Sequence, residues 1–240
     1  MVKKGQYVIV AGFPRCGSTY LANILRQHPH ICVPEMKEIN YFNKTPKYLS
    51  NPNVVSRNNK KNFEWYKSLF DHDKKILMDF SILIAYDPNA PKRIKEKLGD
   101  IKIIFITREK EKHKESVYKI QKILGGIPDI SYKEYLEKYD FYANHYSNFE
   151  EPIQRFKKNF SKVGIFNIID NDTKKEIRKI IKFMGLKDHK DINWDVFRND
   201  SKSERKRRFL QGIRRTMFIH TPNLHNVFRW LKEKLGLAKM

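Results

Sequence analysis

Cysteine is scarce. The 240 residues hold two, Cys16 and Cys32, too few for a disulfide framework or a cysteine-based zinc site. Long apolar runs are missing too: no stretch approaches the roughly 20 residues that span a bilayer. The apolar run near the N-terminus is only about five residues long before Gly12-Phe13-Pro14 breaks it, so it does not read as a signal peptide. A soluble, cytoplasmic protein is the expectation. Acidic residues are few, 27 Asp and Glu against 49 Lys and Arg, giving a formal net charge of +22. That excess bears on partners rather than on fold. It suits nucleic acid, an anionic membrane, or a polyanionic substrate and cofactor. It equally suits a Lys-rich chain with solvated charge, because lysine is spread along the whole sequence. Repeats and low-complexity linkers are lacking, and the length fits one domain over 1–240.

What is present is an alternation. Tyr7 to Ala11 (YVIVA) is uniformly apolar, as a strand covered on both faces would be. A helix follows, with Leu21, Ile24, Leu25 and His28 on one face, closed at His28-Pro29 because the residue before proline avoids the helical region. HICVP, KKILMDFS, IKIIFITR and SKVGIFNIID read as further strands. APKRIKEKLG, EKHKESVYKIQKIL and DTKKEIRKIIKFMGL read as helices, the first and last ending on Gly99 and Gly185. Strands alternating with helices predict an α/β fold, a central, mostly parallel sheet flanked by helices. Ligands in such sheets bind outside the carboxyl ends of the strands. Two of those ends are chemically loaded: Gly12 to Thr19, and Arg108. The core is expected over about 7–186. A basic, helical C-terminal part follows over about 199–240, with Leu224, Val227, Phe228, Leu231 and Leu235 forming an amphipathic stripe.

The first loaded end has the glycine spacing of a Walker A loop, G-x-x-x-x-G-K-[ST], in Gly12-Phe-Pro-Arg-Cys-Gly17-Ser18-Thr19. Ser18 stands where the lysine belongs. Backbone amides and a helix N-terminus still suit an anion. The nearby cation is Arg15, so the lysine that serves the terminal phosphates of ATP is displaced, which argues against a standard ATPase or kinase.

The stretch GFPRCGSTYLANILRQHPHI, followed by KEINYF, resembles the sulfotransferases that use 3′-phosphoadenosine 5′-phosphosulfate (PAPS). Pro14, Arg15, Gly17, Ser18 and Thr19 match their 5′-phosphosulfate loop. Arg108, at a strand end, and Ser116, eight residues on, match the pair that holds the 3′-phosphate. The similarity runs over most of Tyr7 to Leu186. It implies a P-loop NTPase-like sulfotransferase fold and a cofactor site formed by Arg15, Cys16, Gly17, Ser18, Thr19, Tyr20, Arg108 and Ser116. Arg15 is also the expected catalytic cation, aimed at the leaving phosphate. PAPS is the implied sulfuryl donor and no metal is expected. In carbohydrate sulfotransferases of this type a glutamate in a KE-x-x-x-F segment is the base, and Glu38 matches it. The acceptor implied is a hydroxyl, on a carbohydrate or a polyanionic glycan, with a lipid, a small alcohol and a protein tyrosine as the other acceptors left open.

Each of these residues has a plainer reading. Glu38 pairs equally well with Lys37 or another surface cation. Lys37 reads as solvated or as a cofactor or substrate ligand. Cys16, beside Arg15 at a helix N-terminus, is a candidate for a lowered pKa, or supplies only its backbone amide. Two departures from the family pattern stand out. Phe80 and Ile82 flank Ser81 where many relatives carry Glu-Lys-Ser/Thr-Pro, and His113 stands where a second arginine is common. The cationic tail (Lys202, Arg205 and neighbours) is a solvated face, a polyanion or cofactor clamp, or a peripheral membrane or nucleic-acid contact. The 16 Phe, 12 Tyr and 3 Trp lie in apolar stripes apart from the basic cluster, which argues against a base-stacking platform. A non-catalytic polyanion- or nucleic-acid-binding protein on a P-loop-like scaffold, and a divergent nucleotide kinase, remain as alternatives.

Overall fold

The computed structural model describes residues 5–44, 58–124 and 127–196. One compact unit comprises Met1–Ile120 and Asp129–Arg198, and a second comprises Gln121–Pro128 and Asn199–Met240. The expectations for the basic tail and its amphipathic helix lie outside the described residues, and the sheet and the site described below belong to the first unit.

Five strands make one all-parallel sheet. They are β1 (Gln6–Gly12), β2 (Ile31–Cys32), β3 (Ile76–Asp79), β4 (Lys102–Ile106) and β5 (Lys162–Phe166), in the order β2-β3-β1-β4-β5. The expected parallel α/β architecture is therefore the observed one. β1 is central because it is apolar on both faces: Val8, Ile9, Val10 and Ala11 are all buried. β4 is as thoroughly covered from Ile103 to Ile106. The pairing aligns Ile9 with Asp79 and Gly12 with Ile106, so β1, β3 and β4 finish at one edge. Gly12 is needed there, since a Cβ would meet Ile106 Cγ1 at 2.9 Å. The chain passes from β3 on one side of β1 to β4 on the other, which opens a crevice beyond the carboxyl end of β1.

The helices carry their stop and start signals in sequence. They are α1 (Ser18–Leu25), α2 (Phe63–Ser68), α3 (Ala90–Leu98) and α4 (Lys110–Leu124), then α5 (Tyr132–Lys138), α6 (Asp140–Tyr146), α7 (Glu150–Lys157) and α8 (Thr173–Phe183). Asn62, Ser131 and Asp172 accept hydrogen bonds from the first turns of α2, α5 and α8. α1 differs: its N-cap is Gly17 at φ 89°, with no side-chain cap. α1 also ends at Leu25, short of the expected His28. His28 is instead buried in the following turn, where its Nδ1 accepts from the His30 amide and its Nε2 donates to the Lys187 carbonyl. Ile177, Ile180 and Ile181 along α8, and Met184 just beyond it, are buried, the apolar stripe that the spacing in DTKKEIRKIIKFMGL predicts. Helices α5 to α7 were not among the sequence expectations, since their short apolar spacings are broken by polar residues. Among the described residues no helix is long and apolar enough to cross a membrane.

Ile104 of β4 is fully buried. Truncating it leaves a cavity that a rigid sheet closes poorly. Ile104→Ala is expected to cost about 2–5 kcal/mol, read as a lower urea midpoint with an unchanged slope.

Candidate active site

The loop between β1 and α1 is built around two residues of left-handed backbone, Arg15 at φ 71° and Gly17 at φ 89°. Gly17 meets that requirement without strain, and its missing Cβ also leaves room for Ile168, whose Cδ1 would stand 3.0 Å away. Arg15 has a Cβ, so its conformation costs energy that the surroundings must offset. Successive amides in such a turn face inward and make a concavity for an anion.

His113 holds the loop in place. Its Nε2 lies 2.8 Å from the Pro14 carbonyl, and its Nδ1 lies 2.8 Å from Ser147 Oγ. A carbonyl only accepts, so the proton sits on Nε2 and the Ser147 hydroxyl donates to Nδ1. The ring is buried, which lowers its pKa from 6.5 to about 4 against the Pro14 hydrogen bond, with Arg108 and Arg15 adding to the depression. The residue that replaces a common arginine is thus turned to the loop backbone as a neutral donor.

The cations gather around the same loop. Arg15 Nε donates to Ser116 Oγ at 3.3 Å, joining the loop to α4. Arg108 Nε stands 3.7 Å from Asp170 Oδ1, an ion pair too long for a hydrogen bond. That buried nitrogen has no hydrogen-bond partner among the described residues. Asp170 is itself committed, accepting from the Glu109 amide at 2.6 Å and from Asn167 Nδ2 at 3.0 Å. Burial raises its pKa, but these two donors, with Arg108 and Lys112, outweigh that and hold it below the usual carboxylate range. Cys16 is wholly buried, and burial pushes its thiol far up despite Arg108. The lowered pKa considered from sequence does not occur, and only the backbone amide of Cys16 is left for a ligand. Ser18 and Thr19 open α1. Tyr20 is buried and donates from its hydroxyl to the Trp194 carbonyl at 2.9 Å.

Lys37 joins the second half of the site to the first. Its Nζ is 3.1 Å from Ser18 Oγ and 3.1 Å from Glu38 Oε1, and its side chain is 17% exposed. The solvated reading of Lys37 is therefore overturned. Glu38 keeps a quarter of its side-chain exposure, while its Oε2 is covered and unpartnered among the described residues. Burial lifts the Glu38 pKa, opposed by Lys37 and the Ile82 amide. Phe80 is buried, so its position contributes packing rather than charge. Beside Tyr20 a cavity of about 440 Å³ is lined by Thr173, Lys174, Asn193 and Trp194 among others. Lys174 and Arg178 lie over the Trp194 ring at 5.6 and 5.9 Å. Among the described residues no group of three His, Cys, Asp or Glu stands close enough to hold a metal ion.

The structure thus brings Arg15, Ser18, Glu38, Arg108 and Ser116 to one edge of the sheet. Sequence reasoning missed Asp170, Ser147 and the wall around Trp194, which come from segments with no motif. A model of the sulfotransferase domain family matches residues 6–217. No curated protein matches the chain. Among solved structures it is similar to a sulfotransferase from Alicyclobacillus acidocaldarius at 19% identity and a TM-score of 0.67, covering 85% of this chain and 90% of that one. It is also similar to the sulfotransferase domain from the curacin biosynthetic pathway at 14% identity and a TM-score of 0.52, covering 79% and 77%. At these identities the likeness to the solved structures is one of fold.

The depressed His113 pKa fixes a sign. A neutral ring is required in the folded protein, so its contribution is fully present above pH 6.5 and is lost as pH falls toward 4. The amount is on the order of 3 kcal/mol. Asp79, raised to about 7 by burial, runs the opposite way: its cost is present at higher pH and is relieved on acidification. Comparing wild type with His113→Gln cancels that background. The stability gap between the two is expected to shrink from pH 7 to pH 4, measured by denaturant titration.

Proposed function

Since the chain belongs to the sulfotransferase domain family, we propose that it moves a sulfuryl group from PAPS to a hydroxyl acceptor, with Glu38 as the general base. The observation that carries this reading is the Ser18–Lys37–Glu38 chain of contacts, which ties the base segment to the anion loop through one lysine.

The donor fits the residues present. The loop amides from Arg15 to Thr19 would receive the 5′-phosphosulfate. Arg108, whose buried Nε lacks a hydrogen-bond partner among the described residues, and Ser116 would receive the 3′-phosphate. The cavity at Tyr20 and Trp194 is of a size for the nucleoside. The donor supplies an activated sulfuryl group: the acceptor oxygen–sulfur bond forms as the sulfur–phosphate oxygen bond breaks, and the electron pair leaves with the phosphate. Glu38 takes the acceptor's proton, and its raised pKa improves it as a base. Lys37 and Arg15 face the charge that builds on the transferring oxygens. With Arg108 they place three protein cations at the site, so the charge is met without a metal. The cation that relatives place beside Ser81 is absent here, and Lys37 takes its part. The acceptor is proposed to be a carbohydrate hydroxyl, on the Glu38 segment and the basic surface.

Two variants separate the roles. Glu38→Gln is expected to lower transfer by about 10²–10⁴-fold while leaving the affinity for adenosine 3′,5′-bisphosphate within threefold. Arg108→Ala is expected to do the reverse, weakening that nucleotide by at least tenfold. Labelled-sulfate transfer and calorimetry read the two effects. Unchanged transfer in Glu38→Gln would remove the base assignment.

A further inference from the structure

Asp79 ends β3 beside the site, fully buried, and takes no part in the chemistry above. A carboxylate with no cationic partner among the described residues is costly in such a place. Burial raises its pKa to about 7, and Glu38 adds to the rise, opposed by the hydroxyls of Ser81 and Tyr66. Those hydroxyls are its hydrogen-bond partners. Ser81 Oγ donates to Asp79 Oδ1 at 2.5 Å, and Tyr66 Oη donates to Asp79 Oδ2 at 3.1 Å.

The Ser81 bond matters beyond β3. A serine hydroxyl has one proton, and Asp79 takes it, so the lone pairs of Oγ face outward. They accept the Asn40 amide at 2.8 Å in a wholly buried contact. Asn40 is the second of two left-handed residues in the base segment, at φ 52°, and Glu38 is the first, at φ 67°. Asparagine tolerates this region, but glutamate does not, so the turn is strained at Glu38 and persists only if its surroundings hold it. Asn40 Nδ2 closes the turn on the Glu38 carbonyl at 3.1 Å, and Asn58 Nδ2 holds the Ile39 carbonyl at 2.8 Å. Ile39 is buried between the two left-handed residues. With a proton on Asp79 Oδ2 the Tyr66 hydroxyl turns from donor to acceptor, while Oδ1 still accepts from Ser81 and the Asn40 link is kept.

We infer that Asp79 is a positioning residue for Glu38: through the Ser81 hydroxyl and the Asn40 amide it clamps the left-handed turn that presents Glu38 to Lys37 and the anion loop. This rests on the reading of Glu38 as the base. The clamp occupies the Asp79-Phe80-Ser81 segment, where the chain departs from its relatives by losing a lysine.

Two single-atom-scale variants test it on the full chain. Ser81→Ala removes the link from Asp79 to Asn40. Tyr66→Phe removes the other bond to Asp79 and leaves the ring packing and the Asn40 link intact. The probes are release of inorganic sulfate from PAPS with water as acceptor, calorimetry with adenosine 3′,5′-bisphosphate, and hydrogen exchange at the Asn40 amide. For Ser81→Ala we expect kcat to fall at least tenfold, nucleotide affinity to stay within threefold, and Asn40 exchange to quicken at least tenfold. For Tyr66→Phe we expect kcat and Asn40 exchange within threefold of wild type, although both variants lower the denaturant midpoint. The inference is overturned if Ser81→Ala keeps wild-type kcat or Asn40 exchange, or if Tyr66→Phe reproduces its losses, since Asp79 is then only a member of the core. Wild type that neither binds the nucleotide nor releases sulfate overturns the proposed function, and the inference with it. Loss of sulfate release in Glu38→Gln beside unchanged Ser81→Ala overturns the inference alone.

Discussion

The parallel pairing of β1 with β3 on one side and β4 on the other is the constraint from which the site follows. It aligns Gly12 with Ile106 and Ile9 with Asp79. Three connections therefore leave the sheet together: the Phe13–Gly17 loop, the Phe80–Ser81 segment and the Thr107–Arg108 step. None of these short segments could meet the others if a strand were shifted by a residue, because a one-residue slip turns each side chain to the opposite face. A slip would also have to repack Val8 to Ala11 and Ile103 to Ile106, which are buried on both faces. Function is thereby tied to the apolar content of the strands, although no strand residue is proposed to touch the donor.

Electrostatics then decides which of the gathered groups is charged. The site collects Arg15, Lys37 and Arg108 while keeping the nearest histidine neutral. His113 is buried beside two arginines, and its proton is spent on the Pro14 carbonyl. Cys16, in the same loop, is silenced by burial. Acidic groups are placed with equal economy. Asp170 balances Arg108 from 3.7 Å, close enough to orient it and too far to occupy its Nε. Glu38 is steadied by Lys37, whose other contact is the loop serine. An anion entering the loop would thus meet oriented positive charge whose reorganisation has largely been met by the fold.

Much of this was legible in the sequence, for a physical reason. β1, β3 and β4 are short, largely apolar runs, and the loop glycines and Arg108 sit where a parallel sheet puts its ligands. The 3.6-residue stripe of α8 was equally readable. What stayed hidden depends on three-dimensional closure. Ser147 meets His113 from 34 residues away, and Tyr20 meets Trp194 from 174 residues away. No local pattern signals such pairs. Lys37 looked like one solvated lysine among many, because an excess of cations masks the one that is enclosed. The left-handed turn at Glu38 and Asn40 was hidden for a different reason: neither residue is glycine, and the strain is held by Ser81, some 40 positions on.

The most direct measurement of the central claim is calorimetric binding to wild type, without magnesium, of adenosine 3′,5′-bisphosphate, adenosine 5′-monophosphate and ATP. A site with a loop for the 5′ anion and Arg108 with Ser116 for the 3′ anion should bind the bisphosphate at least tenfold more tightly than either of the others. Equal affinity for all three, or a preference for ATP that appears on adding magnesium, would contradict a donor site built on those residues.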